Sequence, residues 1–316
     1  MLPAPFDSPA DLEIALRRAS YLPEPRTALA LWLALRLERP LLLEGPAGVG
    51  KTDLARAAAQ ALDRPLIRLQ CYEGVDEGRA LYEWDYARQL LYTQLLRDTL
   101  GRELAGASSL ADAAARLAPA EAIFFSERFL LPRPLLQAIQ SEQPALLLLD
   151  EIDRADPEFE AFLLEFLGEF QVTLPELGTI RARHHPLVLL TTNGTRELTD
   201  ALRRRCLHLF LDYPEPSREL EIVRLRVPGI EEALAARLVQ FVARLRTLEL
   251  KKPPSLSETV DWARALLVLG ASSLGNDLAR DTLGLLLKHQ EDLTTVTPRL
   301  EDLLAGKGLD RPPQVS

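Results

Sequence analysis

The chain has 316 residues, 47% of them apolar and 26% charged, which is enough for one large or two ordinary domains with real cores. Its net charge of −9 argues against a general nucleic-acid binder, which carries a basic field. Cys71 and Cys206 lie far apart without metal-ligand spacing, and no apolar run approaches the ~20 residues of a membrane helix, so the expectation is a cytoplasmic protein with reduced thiols and no membrane insertion.

The opening stretch MLPAPFDSPADLE has no basic region and no apolar region of a secretion signal. Ser8 or Asp11 can cap a first helix, and a second follows Pro23–Pro25 with LALWLALRL. Leu41–Leu43 is a short apolar run stopped by glycine, the pattern of a buried parallel strand. Pro65–Cys71, Ala145–Asp150, Leu187–Thr192 and Leu207–Leu211 read the same way, with helical patterns between them. Strands alternating with helices predict an α/β fold, a five-stranded parallel sheet covered on both faces.

The gap between the second and third strands is longer than one crossover helix needs, so an insertion is expected over about residues 72–133. Asp85–Leu100 and Ser109–Leu117 read as helices within it, Gly106–Ser108 as a loop, and Leu135–Gln140 as the crossover helix. The prolines of DYPEPSREL mark a linker. Beyond it the pattern is helical: Ser217–Arg226, Ile230–Leu245, Ser257–Leu269, Leu278–His289 and Arg299–Leu304. The expected division is a core over 1–213, a smaller all-helical domain over 214–305, and a loose tail over 306–316.

Gly45-Pro46-Ala47-Gly48-Val49-Gly50-Lys51-Thr52 has the spacing of a phosphate loop. Its glycines let successive N–H groups point at phosphate oxygens, and the helix that begins near Lys51 adds its positive end. Lys51 would reach the β- and γ-phosphates of ATP, the Thr52 hydroxyl would ligate Mg²⁺, and Asp53 completes the nucleotide-binding stretch. The run Ala145–Asp150, followed by Glu151, is the expected partner. Asp150 would hold Mg²⁺, and Glu151 would orient and activate the attacking water. Asn193 ends the next strand, placed beside the first, where an amide can bond the γ-phosphate or the water. Arg203, Arg204 and Arg205 precede the fifth strand. Neighbours on a helix are turned by ~100°, so the three cannot share one direction. One of them would act as an arginine finger on a neighbouring subunit's γ-phosphate, with Arg205 preferred over Arg203. Gln70, ending the second strand, is placed to contact Glu151 and hold it inactive. His184 and His185 read as solvated, and His208 as structural.

In order, these motifs resemble the AAA+ ATPases, more closely the MoxR family, and within it the CoxD-like branch. The resemblance covers roughly residues 27–292 and is carried by RLQCYEGVDEGRALYEWDYARQLL, SERFLLPRPLLQAI, DEIDRADPEFEAFLLEFLGEFQVTLPELGTIRA, TTNGTRELTDALRRRCLHLFLDYPEP and SETVDWARALLVLG. It implies a hexameric ring with ATP between neighbours and a helical lid over the nucleotide. It also implies a partner with a von Willebrand A domain, and a chaperone activity that matures a client enzyme, often by inserting a metal centre. The family's finger falls on Arg205, with Arg204 where its pattern has aspartate. The family's second-sensor arginine, at the start of a lid helix, has no counterpart in Pro254–Glu258, and Arg264 further along is a poor substitute. The hairpin QVTLPELGTIRA would face either the pore and partner or only solvent. Acidic Asp76, Glu77, Glu83 and Glu176 disfavour a nucleic-acid motor. A nucleotide-gated scaffold with little turnover is the other alternative.

Overall fold

The computed structural model describes residues 6–97, 101, 107, 109, 111, 112, 115, 124–175 and 177–306. The expected Ser109–Leu117 helix, the Gly106–Ser108 loop, Glu176 and the tail beyond Gly306 fall wholly or largely outside them. The strands in chain order are β1 (Leu41–Glu44), β2 (Leu66–Gln70), β3 (Tyr82–Trp84), β4 (Leu130–Pro132), β5 (Leu146–Asp150), β6 (Gln171–Leu174), β7 (Gly178–Arg181), β8 (Leu187–Thr192) and β9 (Leu207–Phe210).

Five of them form one parallel sheet in the order β2-β5-β8-β1-β9. The three inner strands are near-continuous Leu and Val runs because helices cover both faces. Side chains alternate across the sheet. Leu42, Leu147, Leu149, Val188 and Leu190 pack into the apolar cluster on one side, while Leu41, Leu43, Leu146, Leu148 and Leu189 pack into the other. In the register Leu41 sits beside Leu189, and Leu148 beside Leu189, so the carboxyl ends of β1, β5 and β8 emerge at one edge. Crevices of this kind, beyond the strands' carboxyl ends, are where open α/β sheets bind ligands.

Ser8 and Asp11 share the first cap as a reciprocal capping box over the Pro9–Arg18 helix. The Pro25–Leu37 helix follows. The expected long helix from Asp85 is shorter among the described residues, Tyr86–Leu95, with Asp85 as its cap. The insertion also holds an antiparallel β3–β4 pair that the helical reading passed over, because three-residue strands carry too little alternation to register.

A third apolar cluster, from Val223 to Leu303, is built chiefly from helices. These are Pro216–Arg226, Glu232–Leu245, Leu256–Val268, Asn276–Thr282, Gln290–Val296 and Leu300–Ala305. The expected single helix Leu278–His289 is corrected: it stops at Thr282, a 3₁₀ turn spans Leu283–Leu285, and Gln290–Val296 is separate. Gly284 lies at the break, where the lack of a side chain weakens a helix. The buried ion pair Arg246–Glu219 (2.6 Å) ties two of these helices, with the Arg246 guanidinium over the Tyr213 ring. No helix among the described residues is long and apolar enough to cross a membrane.

Candidate nucleotide site

The loop from Gly45 to Gly50 leaves β1 and enters the Lys51–Ala61 helix. Two of its glycines are obligatory for different reasons. At Gly45 (φ +155°) an added Cβ would lie 1.9 Å from the Leu211 carbonyl oxygen, so the β1 and β9 exits can touch only without a side chain. At Gly48 (φ +75°) it would meet Ser255 Oγ at 2.5 Å, beneath the cap of the Leu256–Val268 helix.

Lys51 is buried, and its ammonium donates to the Gly45 carbonyl (2.5 Å), the Pro46 carbonyl (2.8 Å) and Asn193 Oδ1 (2.8 Å). Burial pulls its pKa down to about 8, with Asp153, Asp150 and Glu151 opposing the shift. Thr52 Oγ1 donates to Asp150 Oδ1 (3.1 Å), and Thr191 Oγ1 donates to the same oxygen (2.6 Å). Thr191 Oγ1 also accepts the Glu151 N–H at 2.8 Å. That bond steadies a left-handed backbone at Glu151 (φ +57°), a conformation that non-glycine residues adopt only when the surroundings hold them. Gln70 Nε2 donates to Glu151 Oε2 (3.0 Å), the contact expected from the sequence.

Asp153 is buried and binds the loop beyond β8, accepting from Asn193 N (3.2 Å), Thr195 N (3.0 Å) and Thr195 Oγ1 (2.6 Å). Burial works against its charge, but these hydrogen bonds win and hold its carboxyl below the usual range. Fully buried Glu160 takes the other end of that loop, accepting from Arg196 and from Thr199 N (2.9 Å). Thr199 in turn caps the Asp200–Arg205 helix, so one segment carries Asn193 at one end and the arginines at the other.

Lys51, Thr52, Asp150, Glu151, Thr191 and Asn193 line one cavity of about 260 Å³. A second cavity of about 220 Å³ adjoins it and shares Gly48, Gly50, Asp53 and Ser257 with the first. Its walls combine apolar side chains, among them Leu22, Val49 and Ile222, with charged ones, among them Asp53, Arg218 and Arg226. Helices of the third cluster close over it. Arg226 pairs with Asp53 (3.1 Å), Arg218 donates to the Leu22 carbonyl, and Ser257 N donates to the Gly48 carbonyl (3.2 Å). Arg264 lines this second cavity while paired with Asp261.

The arginines are not gathered here. Arg203 lies 3.6 Å from Glu44, the residue before the phosphate loop, and Arg205 reaches over the Pro157–Glu169 helix at Gly168. Neither lines the cavity. His185 is bound to Glu38 (3.0 Å) and stacks near Phe170, so it is not simply solvated as expected, and His208 bonds the Arg203 carbonyl. Sequence reasoning missed Arg68, Thr191, Asp153 and Glu160. Their motif neighbours signal the place, but not which side chains turn toward it.

A hard-oxygen pair, Thr52 Oγ1 and Asp150, set beside a lysine and a glycine loop fits a divalent cation shared with phosphate oxygens and water. Among the described residues no group of three or more His, Cys, Asp or Glu side chains could hold a metal alone. Such a sheet edge, with a phosphate loop, an acid pair and an amide, defines a nucleoside-triphosphate-hydrolysing enzyme of the phosphate-loop kind.

The comparisons agree with that class and narrow it. The sequence profile of the ATPase family associated with various cellular activities (AAA) matches residues 41–212, and the chain belongs to that family as an ATP-hydrolysing enzyme. It is 23% identical over 292 residues to protein NorQ of Paracoccus denitrificans, covering 90% of this chain and 92% of that protein. It is 24% identical over 296 residues to gas vesicle ATPase GvpN2 of Halobacterium salinarum, covering 88% and 77%. It is 26% identical over 246 residues to denitrification regulatory protein NirQ of Pseudomonas aeruginosa, covering 76% and 77%. Among solved structures, the Thermotoga maritima RuvB Holliday junction branch migration motor superposes with a TM-score of 0.45 at 18% identity, covering 92% of this chain and 80% of that one.

Proposed function

We propose that this chain is a MoxR-type AAA+ chaperone that uses ATP hydrolysis to remodel or mature a client protein. The observation that carries the ATP chemistry is the convergence of Lys51, Thr52, Asp150, Glu151 and Asn193 on one cavity. Backbone N–H groups from Gly45 to Thr52, with Pro46 shaping the turn, cradle the phosphates, and Lys51 neutralises them. Thr52 and Asp150 would hold Mg²⁺, which supplies charge neutralisation on the phosphate oxygens. Glu151 takes the proton of the attacking water, and Asn193 fixes the line of attack. The core runs over 1–213, and the lid over 214–305 carries Ser257, Arg226 and Arg264 to the nucleotide. A lid lacking the second-sensor arginine, together with the Gln70 contact on Glu151, also supports the reading of a slow, nucleotide-gated scaffold.

Arg205, or Arg203, acts across a subunit boundary in a hexameric cytoplasmic ring. Arg205 is the better candidate because Arg203 is engaged within its own subunit by Glu44. The partner is a von Willebrand A domain protein. The client is an enzyme whose metal centre is inserted or activated, as in the CoxD-like branch. Support comes from the relatives: NirQ and GvpN2 bear names that attach them to denitrification and to gas vesicles, not to nucleic acid.

The test is affinity capture from the source cell with Glu151→Gln held in ATP, followed by mass spectrometry. The reading expects a von Willebrand A protein and one enzyme. Nucleic-acid-processing proteins, or retention that nuclease abolishes, would overturn it in favour of a motor.

A further inference from the structure

β2 is an edge strand, yet two of its side chains bond the acids that line the cleft. Arg68 straddles one oxygen of Asp150, with Nε at 3.0 Å and Nη2 at 2.6 Å from Oδ2. The same Nη2 donates to Gln70 Oε1, and Gln70 Nε2 donates to Glu151. Asp150, Arg68, Gln70 and Glu151 are therefore one hydrogen-bonded chain. The Asp150 carboxylate is nearly buried, while the Arg68 side chain is 43% exposed. The two carboxylate oxygens differ in their partners: Oδ1 takes the Thr191 hydroxyl, Oδ2 takes the guanidinium, and the Thr52 hydroxyl lies between them at 3.1 and 3.2 Å.

We propose that Arg68 is a positioning residue that restrains both acids at once, a built-in brake on metal-assisted hydrolysis. The proposal rests on the ATPase reading above. Its physical basis has two parts. A guanidinium at Asp150 Oδ2 places a permanent positive charge beside the oxygens that would hold a divalent cation, and so raises the cation concentration needed. Arg68 also fixes the Gln70 amide. Its carbonyl end accepts from Arg68, which leaves the amino end facing Glu151. An acid that accepts that N–H is turned from the water it would activate. Neither role was visible in the phosphate-loop motif, since Arg68 lies 82 residues from Asp150.

The experiment measures binding of a fluorescent ADP analogue while Mg²⁺ is titrated from chelated conditions, with steady-state turnover read in parallel. Arg68→Met keeps the length of the stem and removes the charge. Its half-saturating Mg²⁺ for ADP binding is expected to fall about fivefold, the scale of a half-exposed ion pair, with turnover rising. Gln70→Ala is expected to raise turnover with the Mg²⁺ requirement unchanged. Arg68→Lys keeps a charge but cannot fork between Asp150 and Gln70. It should keep the wild-type Mg²⁺ requirement and turn over as Gln70→Ala does, so it carries the test if Arg68→Met does not fold. An unchanged or higher Mg²⁺ requirement in Arg68→Met, or wild-type turnover in both Gln70→Ala and Arg68→Lys, overturns the brake. Wild-type protein that binds no ADP at any Mg²⁺ concentration defeats the ATPase reading itself, a different result from either.

Discussion

Lys51 sits in the cleft with its pKa pulled down to about 8 by burial. Between pH 8 and the ordinary lysine range the unfolded chain holds this proton and the folded chain does not, so this residue's contribution to stability rises with pH across that window. A bound triphosphate reverses the balance, because negative oxygens favour the ammonium. ATP binding near pH 8 should therefore take up on the order of half a proton. Calorimetry in two buffers of different ionisation heat reads this as a slope, and identical heats in both would contradict it. The residues proposed to carry the chemistry are legible where they are contiguous: Gly45 to Thr52, Asp150–Glu151 and Asn193 each lie in one short string at a strand's end. Even the Gln70–Glu151 contact followed from placing both at the same edge. Arg68 and Thr191 were not legible, because each lies inside its strand and not at its end, and only the sheet register shows that it turns toward Asp150.

At the scale of elements, the loop between Asn193 and Thr199 is clamped by two buried carboxylates that both follow the acid pair in sequence, Asp153 and Glu160. Breaking a buried pair leaves a charge without its partner, which costs more than the pair contributes. Glu160→Ala strands Arg196 and uncaps the Thr199 N–H. It should destabilise the fold by about 3 kcal/mol in denaturant unfolding. A loss under ~1 kcal/mol would show that the clamp is superficial. The five sheet strands were readable to within a residue or two at each end, since runs such as Leu146–Asp150 are buried on both faces. The break at Gly284 and the β3–β4 pair were not readable, for opposite reasons. Apolar residues continue through the former, while the latter is too short to show a period.

At the scale of the molecule, the arginines lie away from their own subunit's cavity, as a finger that acts on a neighbour requires. Arg205→Ala should bind ATP normally and lose turnover. Mixed with Lys51→Ala subunits, it should recover part of the activity at interfaces that combine an intact phosphate loop with an intact arginine. Absence of rescue in rings shown to be mixed would count against action in trans. The helical cluster, proposed to be a lid, belongs to the same scale. Ser257, Arg226 and Arg218 hold it to the core by three contacts spread over the Gly48 carbonyl, Asp53 and the Leu22 carbonyl.

The central claim is that the cleft between β1, β5 and β8 hydrolyses ATP with Glu151 as the base. The direct measurement is ATP affinity and steady-state turnover of Glu151→Gln beside wild type. The account predicts unchanged ATP binding and turnover at least ~100-fold slower, the scale of losing a positioned base. Near-normal turnover would contradict it.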